Sequence, residues 1–261
     1  MYPVQMRRFA RKYLLDMLGM FAHPTNGIHI LNGHMIDRHA VDSNAQQHFH
    51  GLLEELTKEC KFIHIEDAVE MIWKRQIANC PVVAFTFDDG FTDCIDFIAP
   101  VLEDFGVNAA FFINPNFVDG DEPYIRDFTE NIVLTPGKQP MRWDAIKNLH
   151  DRGHIIGAHT MDHYMINTDD RKELEYQIGF CRREIENQLG VPCEWFAFPY
   201  GRLEHANRMA IDIACEHYKY VFSQSDHKHY FSFDERVINR RHFEPFWPVS
   251  HVRYFLSCRK R

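Results

Sequence analysis

At 261 residues, with 45% hydrophobic and 25% charged side chains, the chain has the make-up of one large globular domain, the size at which α/β barrels close around a single core. A formal net charge of -8 excludes a general nucleic-acid binder, which needs a surplus of Lys and Arg to neutralise phosphates. No apolar run is long enough to span a bilayer, and seven scattered cysteines without a CxxC pair fit neither a disulfide framework nor a cysteine zinc site.

The N-terminal stretch carries Arg7, Arg8, Arg11 and Lys12 and then YLLDMLGMFA, in which Asp16 interrupts the apolar residues. No small-residue cleavage site follows, so the stretch is not read as an export signal and the protein is expected in the cytoplasm. Phe9, Tyr13, Met17 and Phe21 recur at intervals of four, the spacing of one helix face. A basic amphipathic helix of this kind either packs on its own domain, the ordinary outcome, or makes a peripheral contact with the inner membrane face. Residues 1–27 are therefore set apart from a catalytic domain over 28–261.

Beyond it, short apolar runs alternate with stretches of helical period. The runs are IHIL (28–31), PVVAFTF (81–87), NAAFFI (108–113), HIIGA (154–158), EWFAF (194–198), KYVF (219–222) and RVINRR (236–241). Helical stretches occupy 43–58, 66–77, 93–105, 142–152, 169–189 and 203–217. In the fifth, Leu174, Ile178, Cys181, Ile185 and Leu189 repeat at three or four, and Gly190 and Pro192 end it. Strand then helix, repeated about seven times, predicts a parallel sheet wrapped by helices: a (β/α) barrel, or an open doubly wound sheet as the alternative. No repeat or linker divides the chain into two domains.

The chemistry-bearing residues sit just after the strands. His34 follows HILNG. VVAFTFDDGF ends in two adjacent carboxylates, Asp88 and Asp89, before a glycine that permits a sharp turn. HIIGA runs into His159, with His163 four residues on, a spacing that on a helical turn puts both on one face. EWFAFPYGR ends in Pro199, Tyr200 and Gly201, a turn able to aim a backbone N–H at a substrate oxygen. None of these carries a function alone, since Asp-Asp-Gly and Pro-Tyr-Gly are common turns and the chain holds 17 histidines. In a parallel barrel, however, all these strand ends meet at one face. Two histidines and one aspartate around a divalent ion leave a position open for water, the equipment for hydrolysis. No GxxxxGK[ST] loop points to phosphoryl transfer and no GxSxG to a serine hydrolase.

As an ordered set, TFDDG (86–90), HTMDH (159–163) and FPYG (198–201) resemble the first three motifs of the polysaccharide deacetylases with a NodB-homology domain, and the likeness runs over roughly residues 28–245. The resemblance implies a distorted (β/α)7 barrel in a single α/β domain, a divalent metal, expected to be zinc, and hydrolysis of an N-acetyl group on an amino sugar of a polysaccharide or glycan precursor. It implies Asp88 as general base, Asp89, His159 and His163 as metal ligands, and Pro199 and Tyr200 as substrate-binding, the Tyr200 N–H facing the oxyanion.

Ala197 stands where many members have an arginine, and no late histidine motif follows residue 201. The chain is similar instead to a subgroup with rearranged end motifs, which implies His34 as the general acid and Arg240 as the support of Asp88, with Arg241 and His242 as the fallback. Two other functions stay open: hydrolysis of another C–N bond such as a formamide or cyclic amide, and a carbohydrate-binding barrel without turnover.

Overall fold

The computed structural model describes residues 14–38, 44–224, 226 and 228–260. Arg7, Arg8, Phe9, Arg11, Lys12 and Tyr13 of the expected N-terminal helix lie outside these residues. The strands are β1 (Gly27–Gly33), β2 (Lys61–Phe62), β3 (Pro81–Phe87), β4 (Ala109–Ile113), β5 (Ile155–Ala158), β6 (Trp195–Ala197), β7 (Tyr220–Ser223), β8 (Phe231–Ser232), β9 (Val237–Asn239) and β10 (Arg241–His242).

Pairing runs parallel from β1 through β3, β4, β5, β6 and β7 to β9. Only Arg240 separates β9 from β10, and β10 pairs in parallel with β1 through Leu31 and Arg241. The segment 237–242 thus lies against β7 with its first half and against β1 with its second, and this closes the ring. The chain is a distorted (β/α)7 barrel in a single domain, and all seven strands expected from the sequence are its staves.

Side-chain alternation sorts the core into two layers. Ile28, Ile30, Ala84, Ala110, Phe112, Trp195, Ala197, Phe222 and Ile238 face the barrel interior. Their neighbours Leu31, Val83, Phe85, Phe111, Ile113 and Phe196 face outward under the helices. The helix Ile65–Trp73 directs Ile65, Ala68, Val69 and Ile72 into the interior cluster and so plugs one end. Its first N–H donates to the side chain of Asn108, just before β4, which identifies the plugged end as the one where strands begin. The site must therefore open at the other.

Two departures from the expected elements have local causes. The 169–189 stretch is helical but interrupted by a π-type turn over Glu175–Phe180. All five predicted apolar positions remain buried, and Gly190 ends the helix in the left-handed region at φ 73. Between β4 and β5 lie the short helices Pro115–Val118 and Glu122–Asp127 and a π-type turn Phe128–Ile132, each too short to imprint a period on the sequence. Their Phe117, Ile125 and Phe128 form a small separate core with Met35 and Phe91.

Phe112 links the interior to the upper layer, since the Arg240 guanidinium carbon lies 5.0 Å from its ring centroid. Phe112→Ala should lower the unfolding free energy by about 3–5 kcal/mol in urea titration. A loss within experimental error would show that this layer is not packed as described.

Candidate active site

Six of the seven staves run into a polar residue: His34 after β1, Asp88 after β3, Asn114 after β4, His159 after β5, Gln224 after β7 and Arg240 after β9, while β6 leads through Phe198 to the Pro199–Tyr200 turn. Alternation adds two more on the inward face, because Asn32 is two residues before His34 and Thr86 two before Asp88. The predicted residues Asp88, Asp89, His159, His163, Tyr200, His34 and Arg240 do come together at this end.

Asp88 is fully enclosed. Arg240 grips it with both arms, Nη1 to Oδ1 at 2.7 Å and Nη2 to Oδ2 at 2.9 Å, and Asn32 donates to Oδ2 at 3.0 Å. Gln224 reaches the same oxygen at 3.4 Å. Arg240 Nη1 also donates to the side-chain oxygens of Asn32 and Thr86. Burial would push the Asp88 carboxyl up, but the Arg240 guanidinium overcomes this and holds it well below the ordinary carboxylate range. Arg241 points the other way, its guanidinium donating to the Cys258 carbonyl, so Arg240 and not the fallback residues meets Asp88.

Asp89 turns away from its neighbour because its backbone sits in the left-handed region at φ 72, followed by Gly90 at φ 73. A Cβ on Gly90 would lie 3.0 Å from Ile113 Cγ2, so the turn needs glycine for both conformation and space. Asp89 Oδ1 then lies 3.6 Å from His159 Nε2 and 3.4 Å from His163 Nε2. Burial pushes the Asp89 carboxyl up to about 7, Asp88 adding to the rise, and burial lowers both imidazoles.

His159 and His163 do not share a helical turn as their spacing suggested. Residues 159–163 form an irregular loop in which Thr160 (φ 64) and His163 (φ 54) are left-handed. Asn114 holds this loop by donating from Nδ2 to the carbonyls of His159 and Thr160. With Asp89 and Tyr200 (φ 62), four non-glycine residues of the site adopt a conformation that costs of order 1–3 kcal/mol each and persists where surrounding contacts enforce it.

The three groups fit a divalent cation on their own geometry. Their ligand atoms lie within 4.8 Å of one another, and Asp89 Oδ1 is buried with no hydrogen-bond partner among the described residues. Nδ1 of His159 is 2.6 Å from the Ala197 carbonyl, so it carries the proton and leaves the Nε2 lone pair facing Asp89. Ala197 contributes through its backbone.

His34 faces the site from β1. Its Nδ1 lies 2.8 Å from Glu244 Oε1, and its backbone N–H donates to Oε2 at 3.2 Å. Burial opposes charge on His34, but Glu244 overrides it and raises the pKa to about 9. His242 lies 3.7 Å from the same carboxylate. Glu244 went unnoticed in the sequence because the strand before it, β10, has only two residues and shows no pattern, and because it matches no motif.

Tyr200 is part exposed, its ring 4.6 Å from that of His163, and its backbone N–H has no partner among the described residues. Pro199 beneath it is buried. A hollow of about 930 Å³ lies at the plugged end beside Gly27, Ile72 and Lys260, and is lined by none of these groups.

A family model described as polysaccharide deacetylase matches residues 75–217, which include Asp88, Asp89, His159, His163 and Tyr200 but not His34 or Arg240. An uncharacterized protein of Bacillus subtilis, YlxY, is 27% identical over 156 residues, 59% of this chain. The chain spans only 41% of that relative's length. Among solved structures, IcaB from Ammonifex degensii superposes with a TM-score of 0.67 at 19% identity, covering 90% of this chain and 99% of that one. The Streptococcus pyogenes deacetylase PplD, in complex with acetate, gives 0.62 at 18% identity over 88% and 97%. A de-N-acetylase from Aggregatibacter actinomycetemcomitans gives 0.62 at 16% identity over 87% and 99%. The structural likenesses speak for the fold, and the family match covers more than half of the sequence: the chain belongs to the polysaccharide deacetylase family.

Proposed function

We propose that residues 28–261 form a metal-dependent hydrolase that removes an N-acetyl group from an amino sugar of a polysaccharide or of a glycan precursor carried on a nucleotide or lipid. The observation that carries this is the division of two adjacent carboxylates: Asp88 is held ionised by Arg240, while Asp89 Oδ1 faces two imidazole nitrogens with no hydrogen bond of its own. The neighbour described in complex with acetate accords with this product. Seven free thiols support a cytoplasmic location.

Asp89, His159 and His163 would hold the cation, and a set of two histidines and one carboxylate suits zinc. When bound, the cation supplies a Lewis acid for the carbonyl oxygen and makes water acidic enough to attack near neutral pH. Asp88 takes the proton of the attacking water, and Arg240 and Asn32 aim its oxygens and keep it free to accept. The Tyr200 N–H faces the negative oxygen that develops on the acyl carbon, its turn fixed by Pro199. His34 then gives its proton to the amino-sugar nitrogen as the C–N bond breaks, so that amide and water become acetate and amine. Glu244 maintains the charged imidazolium that this requires.

Release of acetate from N-acetylated glucosamine oligosaccharides by zinc-loaded protein tests the activity. Formate release from N-formyl sugars with no acetate would favour the other C–N hydrolysis, and glycan binding without turnover would favour a lectin-like barrel.

Asp88→Asn should retain zinc at the wild-type stoichiometry while kcat falls by about 10³-fold or more, whereas His159→Ala should lose zinc and turnover together. Wild-type zinc content in His159→Ala would contradict its assignment as a ligand.

Because the His34 pKa is raised, the imidazolium persists through neutral pH and is lost as pH rises through about 9. The amidase profile should therefore fall on that alkaline side. In Glu244→Gln the burial that opposes charge is no longer offset, so the alkaline limb should move to lower pH. His34→Ala should slow an N-acetyl substrate far more than an activated acetate ester, whose leaving group needs no proton. Equal damage to both substrates would remove His34 from the role of acid.

A further inference from the structure

Exposed large apolar side chains are unevenly spread. Among the described residues, Leu14, Met17, Leu18, Met20 and Phe21 are all exposed, Phe21 by 82%, within eight consecutive positions. Residues 14–20 are helical. An amphipathic helix on a globular domain normally turns its apolar stripe inward, but this one does the reverse. Its polar side meets the protein: Asp16 Oδ1 accepts from Ser250 Oγ at 3.0 Å and lies 2.9 Å from His251 Nε2. Gly19 rests so closely on the Ser250 carbonyl that a Cβ there would stand 1.9 Å from the oxygen. The contact with the helix Val249–Leu256 thus leaves the apolar side facing out.

Charge indicates what that side meets. In residues 1–36 Arg7, Arg8, Arg11 and Lys12 face a single acid, Asp16, whereas the whole chain carries -8. A cationic, apolar segment on an acidic protein complements a surface that is itself anionic and oily.

The helix also neighbours the active-site rim. From Asp16 the contacts pass to His251, to Trp247 at 6.1 Å between rings, to His242 at 5.1 Å and to His34 at 5.4 Å. We propose that Leu14, Met17, Leu18, Met20 and Phe21 form a docking face for an anionic lipid bilayer, which sets the rim at Trp247 and His242 beside the membrane and directs the site toward an amino sugar on a lipid carrier. The choice of substrate rests on the deacetylase reading; the docking face does not.

Flotation of the full chain on phosphatidylcholine vesicles with and without phosphatidylglycerol tests the face, beside the triple variant Leu14→Ser, Met17→Ser, Phe21→Ser. These side chains are exposed, so folding and hydrolysis of a soluble N-acetylated oligosaccharide should be unchanged. Wild-type protein should float with the anionic vesicles, and the variant should bind at least about tenfold more weakly. On the same amino sugar anchored in such vesicles, the variant should lose rate by a similar factor. Wild-type protein that stays with the bottom fraction, or a variant that floats equally well, would overturn the proposal. So would a wild-type dimer in light scattering that the variant converts to monomer, since a second copy would then cover the face. Flotation without hydrolysis of any N-acyl sugar would sink the deacetylase reading and leave the docking face standing.

Discussion

The ion pair between Arg240 and Asp88 governs both the barrel and its site. Arg240 is the single residue at which the seventh stave leaves β7 and joins β1, so its backbone stands where the ring closes. Its side chain turns inward, rests on Phe112 and grips Asp88 with two hydrogen bonds. Both partners are buried, and a buried charge whose partner is removed is left at a penalty of about 3–5 kcal/mol. Closure of the barrel and ionisation of the carboxylate thus depend on one contact, made late in the chain to a residue 152 positions earlier.

That contact makes the pair of adjacent aspartates chemically unequal. Asp88 lies against a guanidinium and stays charged. Asp89, swung aside by two successive left-handed residues, lies among imidazoles that burial keeps neutral, and its own carboxyl rises to about 7. A divalent cation between Asp89, His159 and His163 would relieve that strain, because it supplies the positive charge that the buried carboxylate lacks. The left-handed backbone at Asp89, Thr160, His163 and Tyr200 shows the same economy, with loops held in costly shapes by Asn114, Gly90 and Pro199 so that donor atoms converge.

Much of this was legible in the sequence. The seven staves were visible because each is a short apolar run between helical stretches, and the strand ends alone marked Asp88, Asp89, His159 and His163 as a converging set. Asn32 and Thr86 were open to the same reasoning, since alternation puts them on the inward side with His34 and Asp88. Other features were hidden for physical reasons. Glu244 meets His34 across 210 positions through a loop without periodicity. The 159–163 spacing suggested a helical turn, yet the loop reaches the same convergence through positive φ angles that side chains do not announce. Of the expected stripe Phe9, Tyr13, Met17 and Phe21, only the last two are among the described residues, and the contacts of Asp16 and Gly19 show that they face away from the domain.

Arg240 keeps Asp88 ionised so that it can take a proton. A carboxylate with a depressed pKa lends stability above its unfolded value of 3.8, which is lost as pH falls through the lower folded value. The acid limb of kcat/KM on an N-acetylated amino sugar, at saturating zinc, compares wild type with Arg240→Met directly. With the guanidinium gone, burial loses its main counterweight, so the limb should move to higher pH and activity should recover as pH is raised. An Arg240→Met profile with the wild-type acid limb would contradict the account.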